Sequence, residues 1–531
     1  VVIDHQLLTV SSATSTLGRV IPLNALRLFR VLPLIASIGF ATAVSAAADA
    51  RPNVLFIVVD DLNDWVGFLR GHPQTRTPNM DRLAARGVVF ANASCAASLC
   101  APSRAAVFSG REPYNSGAYV ASDNLRRVAP DLVLLPQHLR SQGYRVLGTG
   151  KLLHHERPEF FDEWFLPEQR WSPFDAKKVN YTPEELPSKA TSNPRHAIEL
   201  PGGRSVTLPL NRMPSDRRPK DPAAESFDWG PVDVPDSEMG DVKVAEWAIA
   251  RLRAPSERPI FLGVGFHRPH IPLFVPARYF EPFPVNSMVL PPYAANDLDD
   301  VPSTGRQVAL DTGTGGTHEG VVRHGQWQAA IAAYLACVYF VDVQLGRLLD
   351  ALDSGPHADN TMVVLFGDNG WQLGEKDHWG KWTGWERSVR IPLLIVPARR
   401  DRAQFAVGKT SRQPVTLTDL YPTLLDYCQV PPPTSKLDGQ SLLPLLRAPD
   451  TRTGRVVVST IDGVHSSVRD DRWRYLRYGD DGEELYDLTG DPNEWRNLAA
   501  VPEQAGTKAR LAAHLPRNPV RPAARRDVRE P

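Results

Sequence analysis

The sequence predicts an α/β fold, a central sheet flanked by helices, followed by a smaller unit with an antiparallel sheet. Three observations carry this. Unbroken apolar runs of strand length recur over most of the chain, and stripes of helical period lie between them. After Leu446, short alternating segments are separated by Asp/Gly turns. At 531 residues the chain exceeds the size at which one hydrophobic core stops growing, so two folding units are expected.

The N-terminal region reads as a targeting segment. Arg27 and Arg30 precede an apolar run from Val31 to Val44, then the small residues Ser45-Ala46-Ala47-Ala48. That order of parts is a signal peptide, with cleavage after Ala46 or Ala48, and its apolar run is too short to span a bilayer. Residues 1–48 are therefore expected to be an N-terminal extension and signal peptide, read by the secretion machinery. The destination is periplasmic or extracellular. Only four cysteines follow into that oxidising compartment, Cys95, Cys100, Cys337 and Cys428, so this is no disulfide scaffold. Cys337 lies in an apolar helical pattern and reads as core.

The mature chain opens on the strand run Asn53 to Val59, apolar throughout as in a strand buried on both faces, and ends in Asp60-Asp61. Three further strands show the same design. Tyr144 to Gly148 leads to Gly150-Lys151 and His154. Ile260 to Phe266 leads to His267-Arg268-Pro269-His270, and Met362 to Phe366 leads to Gly367-Asp368-Asn369-Gly370. Ligands of open α/β sheets sit beyond the carboxyl ends of the strands, so four strands delivering acids, His or Lys there point to one shared site.

Helical stripes separate these strands. Ile331, Tyr334, Leu335, Val338, Leu345, Leu348 and Leu349 form one core-facing stripe, and Leu417 to Tyr427 forms another before the stop Pro431-Pro432-Pro433. The Pro-, Arg- and Asp-rich stretch from Pro167 to Ser237 lacks long periodicity and is expected to wall a substrate cleft. Residues 51–447 make the main unit and 451–515 the smaller one. The latter carries strand segments at Val456–Val458, Ser466–Val468, Trp473–Tyr478 and Glu484–Tyr486. The Pro- and Arg-rich tail 516–531 is expected to be disordered. The 60 basic and 60 acidic residues balance, so no global field invites nucleic acid, and an anionic substrate must be drawn by local charge.

The chemistry-bearing residues fall into four blocks. Leu99-Cys100-Ala101-Pro102-Ser103-Arg104 sets a small nucleophile at the start of a helix, where backbone amides favour an anion, with Arg104 one turn on. Asp60, Asp61, Asp368 and Asn369 form an all-oxygen set suited to a hard cation such as calcium or magnesium and lacking the histidines of a paired zinc site. Lys151 and His154 close the second block. His267 opens the third, and Lys381 trails the fourth.

Together these blocks resemble type I sulfatases, the formylglycine-dependent family. Cys100-Ala101-Pro102-Ser103-Arg104 with Gly110-Arg111 is similar to its first signature, and Gly143 through Gly150-Lys151 to His154 is similar to its second. Gly263 to Pro272, and Gly367 to Lys381, resemble segments of iduronate-2-sulfatase-like members. Leu437–Leu442, Glu484–Leu488 and Asp491-Pro492 match closing segments. The resemblance runs from about Asn53 to Leu498.

It implies an alkaline-phosphatase-like sandwich with a large mixed central sheet flanked by helices, plus a small C-terminal α+β subdomain. It implies sulfuric ester hydrolysis on a sulfated sugar, from a glycosaminoglycan-like or algal polysaccharide. Cys100 would be oxidised to formylglycine by a maturation enzyme, and one calcium would be bound by Asp60, Asp61, Asp368, Asn369 and residue 100. Arg104 would favour the ionised nucleophile, Lys151 and Lys381 would contact sulfate, His267 would protonate the leaving oxygen, and His154 would assist sulfate release. Arg268, His270, His324, Trp371 and His378 are candidates for the sugar pocket, whereas His155 has no assigned role. Two other readings stand beside this one: a phosphate or phosphonate ester hydrolase of the same superfold, and an unmodified glycan-binding protein.

Overall fold

The computed structural model describes residues 51–167, 182–184, 195–200, 204–214, 226–311, 316–479 and 482–522. The expected signal segment, and most of the expected cleft wall between Pro167 and Ser237, lie outside them. The described residues form one compact unit.

Eight strands make the central sheet: β1 (Asn53–Val59), β2 (Val88–Phe90), β3 (Arg145–Gly150), β4 (Glu163–Phe165), β5 (Ile260–Phe266), β6 (Thr361–Gly367), β7 (Leu393–Val396) and β8 (Lys409–Ser411). Their spatial order is β8-β2-β7-β6-β1-β5-β3-β4. β1 pairs in parallel with β5 and β6, and β5 pairs in parallel with β3. β7 alone runs against its neighbours β6 and β2, which makes the sheet mixed. Every residue of β1, β5 and β6 is buried, as their unbroken apolar runs require.

The two-residue period of β1 divides the core. Leu55, Ile57 and Val59 pack on one side against α2 (Gly240–Arg253) and α3 (Trp327–Asp353). Val54, Phe56 and Val58 pack on the other against residues of α1 (Cys100–Ser109) and α4 (Leu420–Cys428). α3 is long and apolar enough to cross a membrane, yet 83% of its apolar window is buried inside the fold. The stripe from Ile331 to Leu349, with Cys337, is core as expected.

Gly110 ends α1 with φ 66°, the left-handed conformation that favours glycine. A Cβ there would lie 2.6 Å from Leu437 Cδ2, so the Gly-Arg element of the first motif seats the helix end on the segment Leu437–Leu442. At Gly265 a Cβ would lie 2.0 Å from the carbonyl of Lys151, so only glycine lets the β3 end approach β5.

A four-stranded antiparallel sheet follows: β9 (Val457–Thr460), β10 (His465–Arg469), β11 (Trp473–Tyr478) and β12 (Glu483–Asp487). It is docked on the main body, with Ser459 Oγ donating to the Cys95 carbonyl at 2.6 Å and Ser467 Oγ to that of Gly384 at 2.8 Å. The described part of the tail meets the main body. Val520 N donates to the Tyr114 carbonyl at 2.8 Å, and the Tyr119 hydroxyl donates to the Val520 carbonyl at 2.6 Å. Backbone groups anchor a segment that has little apolar surface to bury. The remainder of the tail, from residue 523, lies outside the described residues.

Candidate active site

Because β1, β3, β5 and β6 are parallel, their carboxyl ends share one edge of the sheet. Asp60-Asp61, Lys151, His267 and Asp368-Asn369 are delivered together there, and α1 brings Cys100 and Arg104 to the same point. Cys100 Sγ lies 3.6 Å from His154 Nδ1 and 3.6 Å from Lys381 Nζ, and Lys151 Nζ stands 3.9 Å away. Each lysine also faces a carboxylate: Lys151 pairs with Asp60 at 2.5 Å and Lys381 with Asp61 at 2.8 Å. The guanidinium of Arg104 is held by carboxylates and carbonyls. Its Nε donates to Asp368 Oδ2 at 2.6 Å, its Nη2 lies 3.4 Å from Asp60, and Nη1 reaches the carbonyls of Lys151 and Leu152. It ties the two acid-bearing strand ends to the β3 end.

The oxygen set fits a hard cation. Asp60, Asp61 and Asp368 each offer an oxygen within 4.8 Å of the others, all fully buried. Asn369 Nδ2 donates to Asp61 Oδ1 at 2.7 Å and to the Gly370 carbonyl at 2.9 Å, which fixes the amide orientation. Asn369 Oδ1 and Asp61 Oδ2 then accept no hydrogen bond, and Asp60 is met by the ion pairs of Lys151 and Arg104. Buried oxygens without donors are what a cation would satisfy.

The proton affinities report the same crowding. Burial alone would raise Asp60, but Lys151 and Arg104 hold it well below the usual carboxylate range. Burial raises Asp61 and Asp368, with neighbouring carboxylates adding to it against Lys381 and Arg104. Burial, then Lys151, lowers His154 to about 3 and depresses His267 and His270 well below the ordinary imidazole value. All three histidines are neutral at neutral pH in the free site.

The sequence expected an all-oxygen ligand set with His267 at the same strand edge, and His267 and His270 each present a nitrogen within 4.8 Å of an Asp60 oxygen. The loop after β5 folds back over the strand end and brings them in. The positive field of Lys151 that depresses both imidazoles also disfavours a second cation there.

The sugar-pocket candidates separate. His270 Nε2 lies 3.8 Å from Asp61 Oδ2, and its ring is 6.5 Å from that of Trp371, over which Lys381 Nζ sits at 5.8 Å. His378 and Arg268 are turned inward. His378 bridges the carbonyls of Ala309 and Lys381, both at 2.7 Å, and so positions the Lys381 backbone. Arg268 donates to the Phe274 carbonyl at 3.1 Å. His324 is exposed at the end of helix His318–Arg323. His155 contacts the Ala121 carbonyl at 2.9 Å.

Two supporting residues, Asp241 and Tyr334, escaped the sequence reading as site residues, and the motif residue Ser103 gains a role. Asp241, in the first turn of α2, accepts the backbone N–H groups of His267 at 2.8 Å and Arg268 at 2.9 Å. Tyr334 takes the Asn63 N–H at 2.9 Å and donates to the Asp61 carbonyl at 2.8 Å, holding Asp61 at φ 55°. Ser103 Oγ donates to the Asp368 carbonyl at 2.6 Å. An acid in a first helical turn was the only signal for Asp241; Tyr334 read as core, which it also is.

Comparison with known proteins bears on this geometry. The sulfatase family pattern matches residues 52–430, well over half of the chain. The chain belongs to the sulfatase family. A second pattern, the C-terminal part of N-sulphoglucosamine sulphohydrolases, matches residues 374–520. A sulfatase of Formosa agariphila is 35% identical over 456 residues, covering 85% of this chain and 83% of the relative. Human iduronate 2-sulfatase is 29% identical over 435 residues, covering 75% and 72%. A solved structure, in complex with its substrate D-glucosamine-2-N,6-O-disulfate, superposes with TM-score 0.64 at 21% identity and covers 87% of this chain and 96% of its own. The sulfatase fold is thus the alkaline-phosphatase-like sandwich expected, and the chain is an enzyme, a sulfuric ester hydrolase.

Proposed function

We propose that this sulfatase removes sulfate from a sulfated sugar, using formylglycine at position 100 and a single calcium held by Asp60, Asp61, Asp368, Asn369 and the side chain at 100. The observation that carries the reading is the convergence of Lys151, Lys381 and His154 on Cys100 Sγ, beside three buried carboxylates close enough to share one cation. Relatives that act on sulfated sugars support the substrate class.

Formylglycine, made from the thiol by a maturation enzyme, supplies a hydrated aldehyde whose hydroxyl is the nucleophile. Calcium, when bound, supplies Lewis-acid charge beside it. The chain's own residues do the rest. Three carboxylates and the three cations Arg104, Lys151 and Lys381 sum to zero, so a divalent cation leaves two positive charges. A sulfate monoester and an ionised nucleophile take those charges back. Lys151 and Lys381 hold the sulfate oxygens. His154, neutral and within reach of position 100, accepts a proton there. His267 is depressed by burial and Lys151; a bound sulfate opposes that field and raises its proton affinity where the leaving oxygen departs. Arg104, Asp241 and Tyr334 keep the strand ends in register.

The signal-peptide order of residues 27–48 supports export to the periplasm or beyond. Entry of a sugar from its chain end fits the burial of Cys100, Lys151 and Lys381. Peptide mass spectrometry of natively expressed enzyme should find an aldehyde at position 100, and Cys100→Ala should abolish turnover with the fold intact. Free thiol in active enzyme overturns the mechanism. One calcium per chain by elemental analysis is expected; two zinc ions, with phosphate esters turned over faster than sulfate esters, would replace the reading.

A further inference from the structure

A cavity of about 560 Å³ is lined by aromatic rings and acids and by none of the catalytic residues. Its wall is a set of edge-on and stacked rings. Tyr293 and Trp327 meet at 5.2 Å and 85°, His318 and Trp327 at 4.5 Å and 89°, and His318 stacks on Trp379 at 6.3 Å. The polar handles of these rings are turned into the wall. Trp327 Nε1 donates to the Leu373 carbonyl at 2.7 Å, and Trp379 Nε1 donates to His318 Nδ1 at 3.1 Å. That second bond makes Nδ1 the acceptor, so the proton of the neutral ring is on Nε2, which lies 3.9 Å from Asp377 Oδ1. The Tyr293 hydroxyl donates to the same carboxylate at 2.9 Å, fixing Asp377 beside the rings.

The charges of the lining are one-sided. Arg323 pairs with Glu319 at 3.5 Å and is neutralised by it. Asp311 and Asp377 also line the cavity, and among the described residues neither has a lysine or arginine within ion-pair distance. Burial lowers the His318 pKa, so that ring adds no positive charge. Tyr293 at 38%, Val322 at 51% and Leu310 at 52% exposure form an apolar rim. A sulfated or carboxylated group would be repelled by these acids. Aromatic rings beside fixed carboxylates instead attract cations.

We propose that this cavity binds an organic cation, a protonated or quaternary amine, through the rings of Tyr293 and Trp327 and the carboxylate of Asp377. Its lining shares no residue with the cluster around Cys100, where sulfate is held, and it selects the opposite charge. The ligand is either a choline-like head or the amino group of an unacylated amino sugar, and the two carry the same chemistry.

Isothermal titration of the intact enzyme tests this with two matched pairs: choline against its neutral isostere 3,3-dimethylbutan-1-ol, and glucosamine against N-acetylglucosamine. At least one cation should bind, with its neutral partner about tenfold weaker or worse, as a desolvated cation–π contact would give. Choline alone identifies a quaternary head; glucosamine alone identifies an amino sugar. Asp377→Asn and Tyr293→Leu should each weaken the bound cation about tenfold. Asp377 has φ 54°, a conformation asparagine adopts readily, so the first variant keeps the backbone. Saturating inorganic sulfate should leave the cation affinity unchanged. Equal binding of the neutral partners, binding that survives both substitutions, competition with sulfate, or no cation binding at all overturns the proposal.

Discussion

Two clusters of charge are buried in this molecule, and they are built oppositely. At the seam between the main body and the β9–β12 sheet, each acid meets cations or hydroxyls. Glu386 pairs with Arg469 at 2.6 Å and Arg474 at 3.1 Å, Glu494 pairs with Arg474 at 3.3 Å, and Asp297 pairs with Lys376 at 2.6 Å. Glu484 accepts from Trp385 at 2.8 Å and Tyr478 at 2.6 Å. At the strand ends three acids face the three bases Arg104, Lys151 and Lys381, yet the three carboxylates are themselves pressed together, each with an oxygen within 4.8 Å of the others. The seam spends its charge on itself. The strand ends keep theirs for a cation and an anion that arrive from outside. Buried ions are costly in both places, so the arrangement, not the count, separates a structural cluster from a functional one.

The largest expected effect breaks the functional cluster. Asp368→Asn should lose bound metal by elemental analysis and cut turnover by more than ~100-fold. In chelator the same variant should melt no lower than the parent, because it relieves repulsion among three desolvated carboxylates. A clear loss of Tm in chelator would make the strand ends a structural cluster like the seam.

The next test separates the two histidines, which share one electrostatic environment. His267→Ala should slow substrates with poor leaving groups far more than activated aryl sulfates, which need little protonation. His154→Ala should leave sulfate attached to position 100, visible by intact mass. Equal losses on both substrate types, with no retained sulfate, would end that division of work.

Removing one partner from the seam should act on stability alone. Glu386→Gln leaves Arg469 and Arg474 buried without their shared acid, a loss on the order of 3–5 kcal/mol. The expected outcome is a lower denaturation midpoint with unchanged kcat per folded molecule. A change in metal content would show that the two clusters communicate.

The smallest effect concerns a buried acid with neither a cation nor a metal against it. Burial pushes Glu112 up to about 8, despite the Thr418 hydroxyl donating at 2.6 Å. Between the unfolded value and about 8 the folded state holds a proton that the unfolded chain has released. Stability therefore falls as pH rises through that window and is flat outside it. Glu112→Gln should flatten the profile, raising Tm by a few degrees at pH 9 relative to the parent and giving no gain at pH 5. An unchanged slope would place the titration elsewhere.

The four strand ends were legible because a strand buried on both faces must be apolar throughout, so the first polar residues after it mark the sheet edge. Asp60-Asp61, Lys151, His267 and Asp368-Asn369 stood out for that reason. The seam was not legible: Glu386, Arg469, Arg474 and Glu494 sit in segments whose local pattern only says strand or turn. The same holds for Arg104. One turn beyond Cys100 it reads as an aid to the nucleophile, whereas the packing of α1 against the sheet edge turns it onto Asp368 and Asp60.

By itself, the sequence determined the period of each element and which residues could stand at its end, since these depend on local sterics and on burying apolar side chains. It also carried the motifs that mark the family. The tertiary structure alone decided which carboxylates share a cation and which share an arginine. It brought Asp241 beneath His267, set Tyr334 over Asp61, and assembled an acidic cavity from Tyr293, His318, Trp327 and Asp377. Those relations join residues far apart in the chain. Charge and hydrogen bonding act over a few ångströms of space, so no local pattern of sequence encodes them.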